Sequence, residues 1–179
     1  MQYIIITGPQ KAGKSYCLLN IAKKLKMSAL TLGGVITRRA PENRESDDRE
    51  IVKPGGEDTL LFCSRTEFDI GIEGGVFKHS GFYFSKYAFA KGNEWIRGSL
   101  GCDVLFIDEI GRLEMEQDGE YKWDFMLPLA QAGEKKQTLL FSVKENLVDK
   151  FIEKYNYGWK IIRVKAGRDI SGSILSEMR

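Results

Sequence analysis

A short run near the N-terminus has the composition of a phosphate cradle: Gly8-Pro9-Gln10-Lys11-Ala12-Gly13-Lys14-Ser15. It fits the P-loop pattern GxxxxGK[ST] in full. Glycines let backbone N–H groups converge on phosphate oxygens, and a helix starting at the loop's end adds its positive N-terminal pole. At this spacing the Lys14 ammonium is expected on the β- and γ-phosphates of a nucleotide and the Ser15 hydroxyl on Mg²⁺. Tyr16 follows as the last residue of the expected binding segment. The second candidate is the carboxylate pair Asp108-Glu109, which closes the apolar run Val104-Leu105-Phe106-Ile107. A carboxylate at the C-terminal end of a buried strand can hold the metal from the side opposite the loop hydroxyl. Asp108 is therefore expected to ligate Mg²⁺, and Glu109 to lie beside the γ-phosphate, where it can orient and deprotonate a water.

Such groups meet only if the strands carrying them run side by side. Gln2–Thr7, with three consecutive isoleucines, predicts a strand buried on both faces. Lys14–Lys26 predicts a helix with Cys17, Leu18, Ile21, Ala22 and Leu25 inward. Ala29–Leu32 and Val35–Thr37 read as extended, interrupted by Gly33-Gly34, and the charge-dense Arg38–Glu50 reads as a solvated loop. Ile51–Val52 and Thr59–Cys63 read as a hairpin around Pro54–Asp58. A helix over Ser85–Leu100 weakened by Gly92, a buried strand Asp103–Asp108 and a helix Lys122–Ala132 kinked at Pro128 follow. Then come a strand Thr138–Val143, a helix Glu145–Tyr155, a strand Trp159–Val164 and a helix Ile170–Met178. This alternation predicts an α/β, three-layer fold with a mainly parallel sheet, and a small β-rich excursion at about 38–80. Ligands of open α/β sheets gather beyond the C-terminal strand ends, so the loop and the carboxylate pair should converge there.

Composition bounds the rest. The 179 residues suit one domain, able to bury roughly 70% of its unfolded surface. Lys+Arg 27 against Asp+Glu 25 leaves a net +2, which excludes a nucleic-acid partner held by bulk charge. No apolar stretch is long enough to cross a bilayer, and no secretory signal is visible at Met1-Gln2. Three scattered cysteines, Cys17, Cys63 and Cys102, argue for a reducing, cytoplasmic setting without disulfides or a cysteine metal site.

Other residues invite chemistry and admit a blander reading. His79 stands alone in an aromatic stretch, with no Cys, His or Asp cluster around it in sequence. Phe82, Tyr83, Phe84, Tyr87 and Phe89 suit packing better than a base-stacking platform. Arg38, Arg39, Arg44 and Arg49 include candidates for an arginine supplied to a phosphoryl-transfer transition state, against a solvated loop. Arg112, close behind Asp108-Glu109, is the better placed catalytic arginine, with a salt bridge to Glu114 or Glu116 as the competing role.

Gly8–Ser15, Gly34-Val35-Ile36-Thr37, Gly81–Phe89 and Asp108-Glu109-Ile110-Gly111-Arg112-Leu113-Glu114 resemble, in order and spacing, the thermophile-type (cancer-related) nucleoside-triphosphatase family. The similarity runs to about Asp169, and the Asp108–Glu114 segment is its most specific part. The resemblance implies a RecA-like P-loop core and slow, Mg²⁺-dependent hydrolysis of ATP, GTP and other nucleoside triphosphates. Lys14 and Ser15 match the family's phosphate and Mg²⁺ positions, Asp108 the metal carboxylate, Glu109 the base, and Arg112 a basic position near the phosphates. Gly167-Arg168-Asp169 resembles an Asn-Arg-Asp element that holds the nucleobase, which implies a binding role for Arg168. Gly167 departs from the asparagine, Lys11 from a glycine, and Ser15-Tyr16 from Thr-Thr. The segment after Thr37 does not align cleanly with the family.

The leading expectation is therefore a hydrolase of ATP and GTP without a dedicated base, since no Asn-Lys-x-Asp guanine element occurs. A small nucleoside or nucleotide kinase is the alternative, with Arg38–Glu50 as its lid. A nucleotide-dependent adaptor whose hydrolysis is incidental is a third reading, with its protein partner unidentified.

Overall fold

The three N-terminal isoleucines form β1 (Gln2–Thr7), with Ile4 and Ile6 in one apolar cluster and Ile5 in the opposite one. That two-sided burial makes β1 an inner strand. In this computed structural model residues 2–41, 47–68, 74–116, 121–131, 137–164 and 171–177 are described. The other strands are β2 (Leu32–Arg39), β3 (Arg49–Val52), β4 (Thr59–Ser64), β5 (Val76–His79), β6 (Phe82–Ser85), β7 (Val104–Ile110), β8 (Thr138–Val143) and β9 (Lys160–Arg163). Helices are α1 (Lys14–Leu25), α2 (Lys86–Arg97), α3 (Arg112–Glu116), α4 (Met126–Gln131), α5 (Val148–Lys154) and α6 (Ser171–Glu177).

Among the described residues the strands form one sheet in the order β5-β6-β4-β3-β2-β7-β8-β1-β9. From β2 to β9 every pairing is parallel, and from β2 outward to β5 every pairing is antiparallel. Helix α1 and Ile174 of α6 cover one face with Cys17, Leu18 and Ile21. On the other face Phe89 and Ile96 of α2, Leu129 of α4 and Phe151 of α5 pack over Val35, Ile107 and Phe141. This is the expected three-layer α/β architecture.

Several boundaries differ from expectation for identifiable reasons. Strand β2 runs straight through Gly33-Gly34 and on to Arg39. The glycines do not interrupt it; they permit it. A Cβ on Gly34 (φ +94°) would lie 1.9 Å from the Phe106 carbonyl oxygen of β7, so only glycine lets the two strands approach this closely. Arg38, Arg39, Arg49 and Glu50 are likewise not loop residues. Arg38↔Glu50 and Arg39↔Arg49 are cross-strand pairs of β2 and β3. The β-rich excursion thus extends the main sheet, and it reaches Ser85 because Phe77 and Phe84 pair across the hairpin of β5 and β6.

Gly92 sits inside α2 because the Trp123 ring occupies the space a side chain would need. Pro128 does not kink its helix. Helix α4 begins at Met126, so the proline falls in the first turn, where its missing N–H costs nothing. Strand β7 continues past Asp108 to Ile110, and Glu145–Leu147 form a single 3-10 turn ahead of α5. Of the aromatic stretch, Phe84 packs ring against ring with Phe82 (6.3 Å) and Phe89 (6.1 Å), and Phe89 is buried in the core. His79 ends β5, half-buried, 6.5 Å from the Phe84 ring.

Candidate active site

The cradle begins where β1 stops. Gly8 adopts φ +151°, and a Cβ there would meet the Val164 carbonyl oxygen at 2.5 Å, because the segment leaving β9 runs against the loop. Val164 N donates to Thr7 O (2.7 Å), fixing that contact. Ala12 N donates to Pro9 O (3.2 Å), which closes the turn, and Gly13 in the left-handed region starts α1. Lys11 is exposed and also left-handed (φ +64°), at the position where the resemblance expects glycine. Lys14 does not point freely into solvent. Its ammonium folds back over the loop and donates to Gly8 O (3.0 Å) and Pro9 O (3.2 Å).

Parallel pairing brings the ends of β1, β2, β7 and β8 to one edge, and four of their neighbouring side chains make a relay. Thr37 donates to Asp108 Oδ2 through its backbone N (3.0 Å) and its hydroxyl (2.7 Å). Its one hydroxyl proton is thereby used. In the Ser15–Thr37 contact (Oγ···Oγ1 3.3 Å) the Ser15 hydroxyl is accordingly the donor. Asp108 Oδ1 accepts from the Ser142 hydroxyl and from Glu109 N (2.9 Å). Asp108 is fully buried, and these bonds fix both its oxygens.

Neither Thr37 nor Ser142 was assigned a role by the sequence reading. Each ends an apolar run, Val35-Ile36-Thr37 and Leu139-Leu140-Phe141-Ser142, in the way Asp108 ends its own. A polar residue at the C-terminal end of a buried strand is the shared signal.

Immediately after Asp108 the ladder slips. Ile107 pairs with Phe141 and Ile110 with Val143, so Asp108 and Glu109 together oppose Ser142. The extra residue is a β-bulge, a device that re-aims side chains beside active sites. It leaves Glu109 at φ +64°, a conformation unfavourable for a non-glycine residue. The Glu109 carboxylate turns toward Arg49 of β3 and pairs with its guanidinium. Although 41% of the Glu109 side chain is open, surrounding protein and the Asp108 charge push its pKa up, against the pull of Arg49 and Lys14.

Glu114, in α3, is buried and accepts from Gly111 N (2.8 Å). It does not pair with Arg112, because the backbone N–H at the helix start takes its carboxylate. Burial raises its pKa to about 7, with the Glu109 charge adding to the rise and backbone bonds opposing it. Arg112 is exposed at the first position of α3, and among the described residues it has no ion-pair partner. Gly167, Arg168, Asp169 and Arg44 lie outside the described residues.

Among the described residues no group of three or more His, Cys, Asp or Glu could hold a metal ion by itself. The Ser15–Thr37–Asp108 oxygens are hard donors converging on the loop. They fit Mg²⁺, which takes few protein ligands and completes its shell with phosphate oxygens and water.

No helix among the described residues is long and apolar enough to cross a membrane. Comparison with known proteins gives the family and the fold. A family model described as NTPase matches residues 3–171. Over 117 residues the chain is 33% identical to the nucleoside-triphosphatase THEP1 of Korarchaeum cryptofilum (strain OPF8), across 62% of this chain and 55% of that protein. The chain thus spans about half the length of the curated relative it matches. It is similar in structure to THEP1 from the hyperthermophile Aquifex aeolicus, with TM-score 0.67, 20% identity and 99% of both chains covered. It is also similar to a human cancer-related nucleoside triphosphatase, with TM-score 0.70, 15% identity, and 100% of this chain and 98% of that one covered. At such identities the structural likeness carries the P-loop fold alone.

Proposed function

The chain belongs to the NTPase family, and from that premise we propose that it hydrolyses nucleoside triphosphates, ATP and GTP among them, to the diphosphate and inorganic phosphate. The observation that carries this reading is the relay from Ser15 through Thr37 to Asp108, with Glu109 turned out beside it by the bulge. Residues 8–16 would bind the phosphates, with backbone N–H groups and Lys14 as donors. Ser15 and Asp108 would hold Mg²⁺, which when bound neutralises charge on the phosphate oxygens.

Glu109 would accept the proton of a water whose oxygen attacks the γ-phosphorus. The bond from phosphorus to the β,γ-bridging oxygen breaks, its electron pair leaves with the diphosphate, and the proton passes on to solvent. Arg112, exposed behind the base, would reach the phosphates, and Arg168 the base of the nucleotide. The absence of an Asn-Lys-x-Asp element supports breadth over dedication to guanine. Cys17, Cys63 and Cys102 form no disulfide, which suits a reducing cytoplasm, and the continuous sheet suits one domain over 1–179.

The test is hydrolysis of all four ribonucleoside triphosphates with Mg²⁺, with excess chelator, and with nucleoside or nucleotide acceptors, identifying the products. Inorganic phosphate without an acceptor, lost with chelator and in Lys14→Ala, is the expected result. Phosphate appearing on an added nucleoside would make the protein a kinase instead.

A further inference from the structure

Of the arginines the sequence singled out, those on β2 are committed to neighbours. Arg38 is 2.9 Å from Glu50, and Arg39 lies 3.7 Å from Asp47, whose other oxygen is held by Arg65 at 2.6 Å. Arg49 differs in partner and in placement. It pairs with Glu109, 60 residues away in sequence. The β3–β4 ladder slips beside Arg49, which pairs with Cys63 while Glu50 pairs with Leu61, so the extra residue is Phe62 on the facing strand. Glu109 therefore owes its direction to the bulge in β7, and Arg49 meets it from a strand position next to a second break in regular pairing. Lys14 also lies within electrostatic reach of Glu109, so guanidinium, carboxylate and loop ammonium form one cluster. Arg49 keeps 39% of its side chain exposed.

A pair built this way does little for stability, since half-exposed ion pairs contribute weakly. It does place a bidentate cation beside the residue read as the general base. We propose that Arg49 is a catalytic residue supplied by the antiparallel extension: its guanidinium leaves Glu109 for the γ-phosphoryl oxygens as the transition state forms. The exchange has a second consequence. With Arg49 on the phosphoryl group, the Glu109 oxygens are free to accept the hydrogen bond of the attacking water. The bonds made and broken are those of the hydrolysis above; Arg49 keeps its protons and contributes charge alone. The proposal rests on the reading of Glu109 as the base.

The experiment compares full-length wild type, Arg49→Ala, Arg49→Lys and Glu109→Gln. Affinities are measured for MgADP alone and for MgADP with aluminium fluoride, which mimics the transferring phosphoryl group, beside kcat and KM for MgATP. For Arg49→Ala, MgADP affinity should stay within about threefold, while the tightening by aluminium fluoride disappears and kcat falls by about 10³-fold, the scale for arginines acting on a γ-phosphate. Arg49→Lys retains the charge but not the planar fork, and should lose most of the tightening. It also serves if the alanine variant does not fold. Undiminished aluminium fluoride tightening in either variant would overturn the proposal, whatever happens to turnover, because the guanidinium would then not touch the phosphoryl group. Glu109→Gln separates the premise: wild-type turnover in that variant removes the base reading, while the aluminium fluoride comparison still judges Arg49.

Discussion

Glu109 combines a strained backbone, a raised pKa and an arginine partner on one side chain. Left-handed backbone at a non-glycine residue costs on the order of 1–2 kcal/mol, and it persists where surrounding structure enforces it. Here the enforcement is visible. Glu109 N donates at 2.9 Å both to Asp108 Oδ1 and to Ser142 Oγ. The carboxyl can therefore be altered without moving the backbone that aims it. Glu109→Gln should bind MgATP within about threefold of wild type yet release phosphate about 10²–10⁴-fold more slowly in single turnover, the scale of a lost general base. Collapse of nucleotide binding would instead put Glu109 in the metal site, and unchanged release would make it a bystander. At this scale the loop and the carboxylate pair were legible because each is contiguous in sequence. Thr37 was not, and Arg49 stood only as one of four candidate arginines, because their partners stand 71 and 60 residues away and strand order alone brings them together.

Strand β2 is the element that joins the two halves of the site. On one side it pairs in parallel with β7, and on the other antiparallel with β3. It thereby carries Thr37 to Asp108 while seating the strand that brings Arg49 to Glu109. Its approach to β7 depends on Gly34, whose missing side chain leaves room for the Phe106 carbonyl. That oxygen belongs to backbone in the middle of a sheet and cannot swing aside. Gly34→Ala should cost about 3–5 kcal/mol, as expected when steric overlap combines with a positive φ. It should also weaken nucleotide turnover in whatever fraction still folds. Urea unfolding and phosphate release measure the two effects. An alanine variant as stable as wild type would mean that β2 and β7 separate more easily than this packing indicates. The pair Gly33-Gly34 reads in sequence as an interruption because glycine is a poor strand former. Whether a glycine breaks a strand or lets two strands close depends on what lies opposite, and local sequence does not contain that. The alternation of buried strands and helices was legible, because burial on both faces leaves unbroken apolar runs that need no partner to be recognised.

Across the whole molecule the described charges sit mostly at the surface; Asp108 and Glu114 are buried, and Glu114 ties site to stability. It lies in the core beneath the site segment, with its carboxyl at the Gly111 N–H and its pKa raised from 4.5 to about 7. In the unfolded chain the same carboxyl titrates near its ordinary value. Below that value it is protonated in both states and has no effect on folding. As pH rises from there toward 7, the unfolded chain gives up the proton while the folded protein retains it. Each step favours unfolding, so the stability present at low pH is progressively lost. Above the folded pKa both states are ionised and the cost levels off at about 3 kcal/mol, the equivalent of a shift of this size. Glutamine has the same shape and can still accept from Gly111 N–H, but it has no proton to lose. Urea unfolding of wild type and Glu114→Gln compares the two across that range. The stability of the variant relative to wild type should rise by about 3 kcal/mol between about pH 4 and about pH 8.5, with most of the change between the two pKa values. The loss or gain from altered packing is the same at both ends and cancels in this comparison. A relative stability that does not change with pH would mean that the Glu114 carboxyl ionises alike in folded and unfolded chains, and that water reaches it beneath α3.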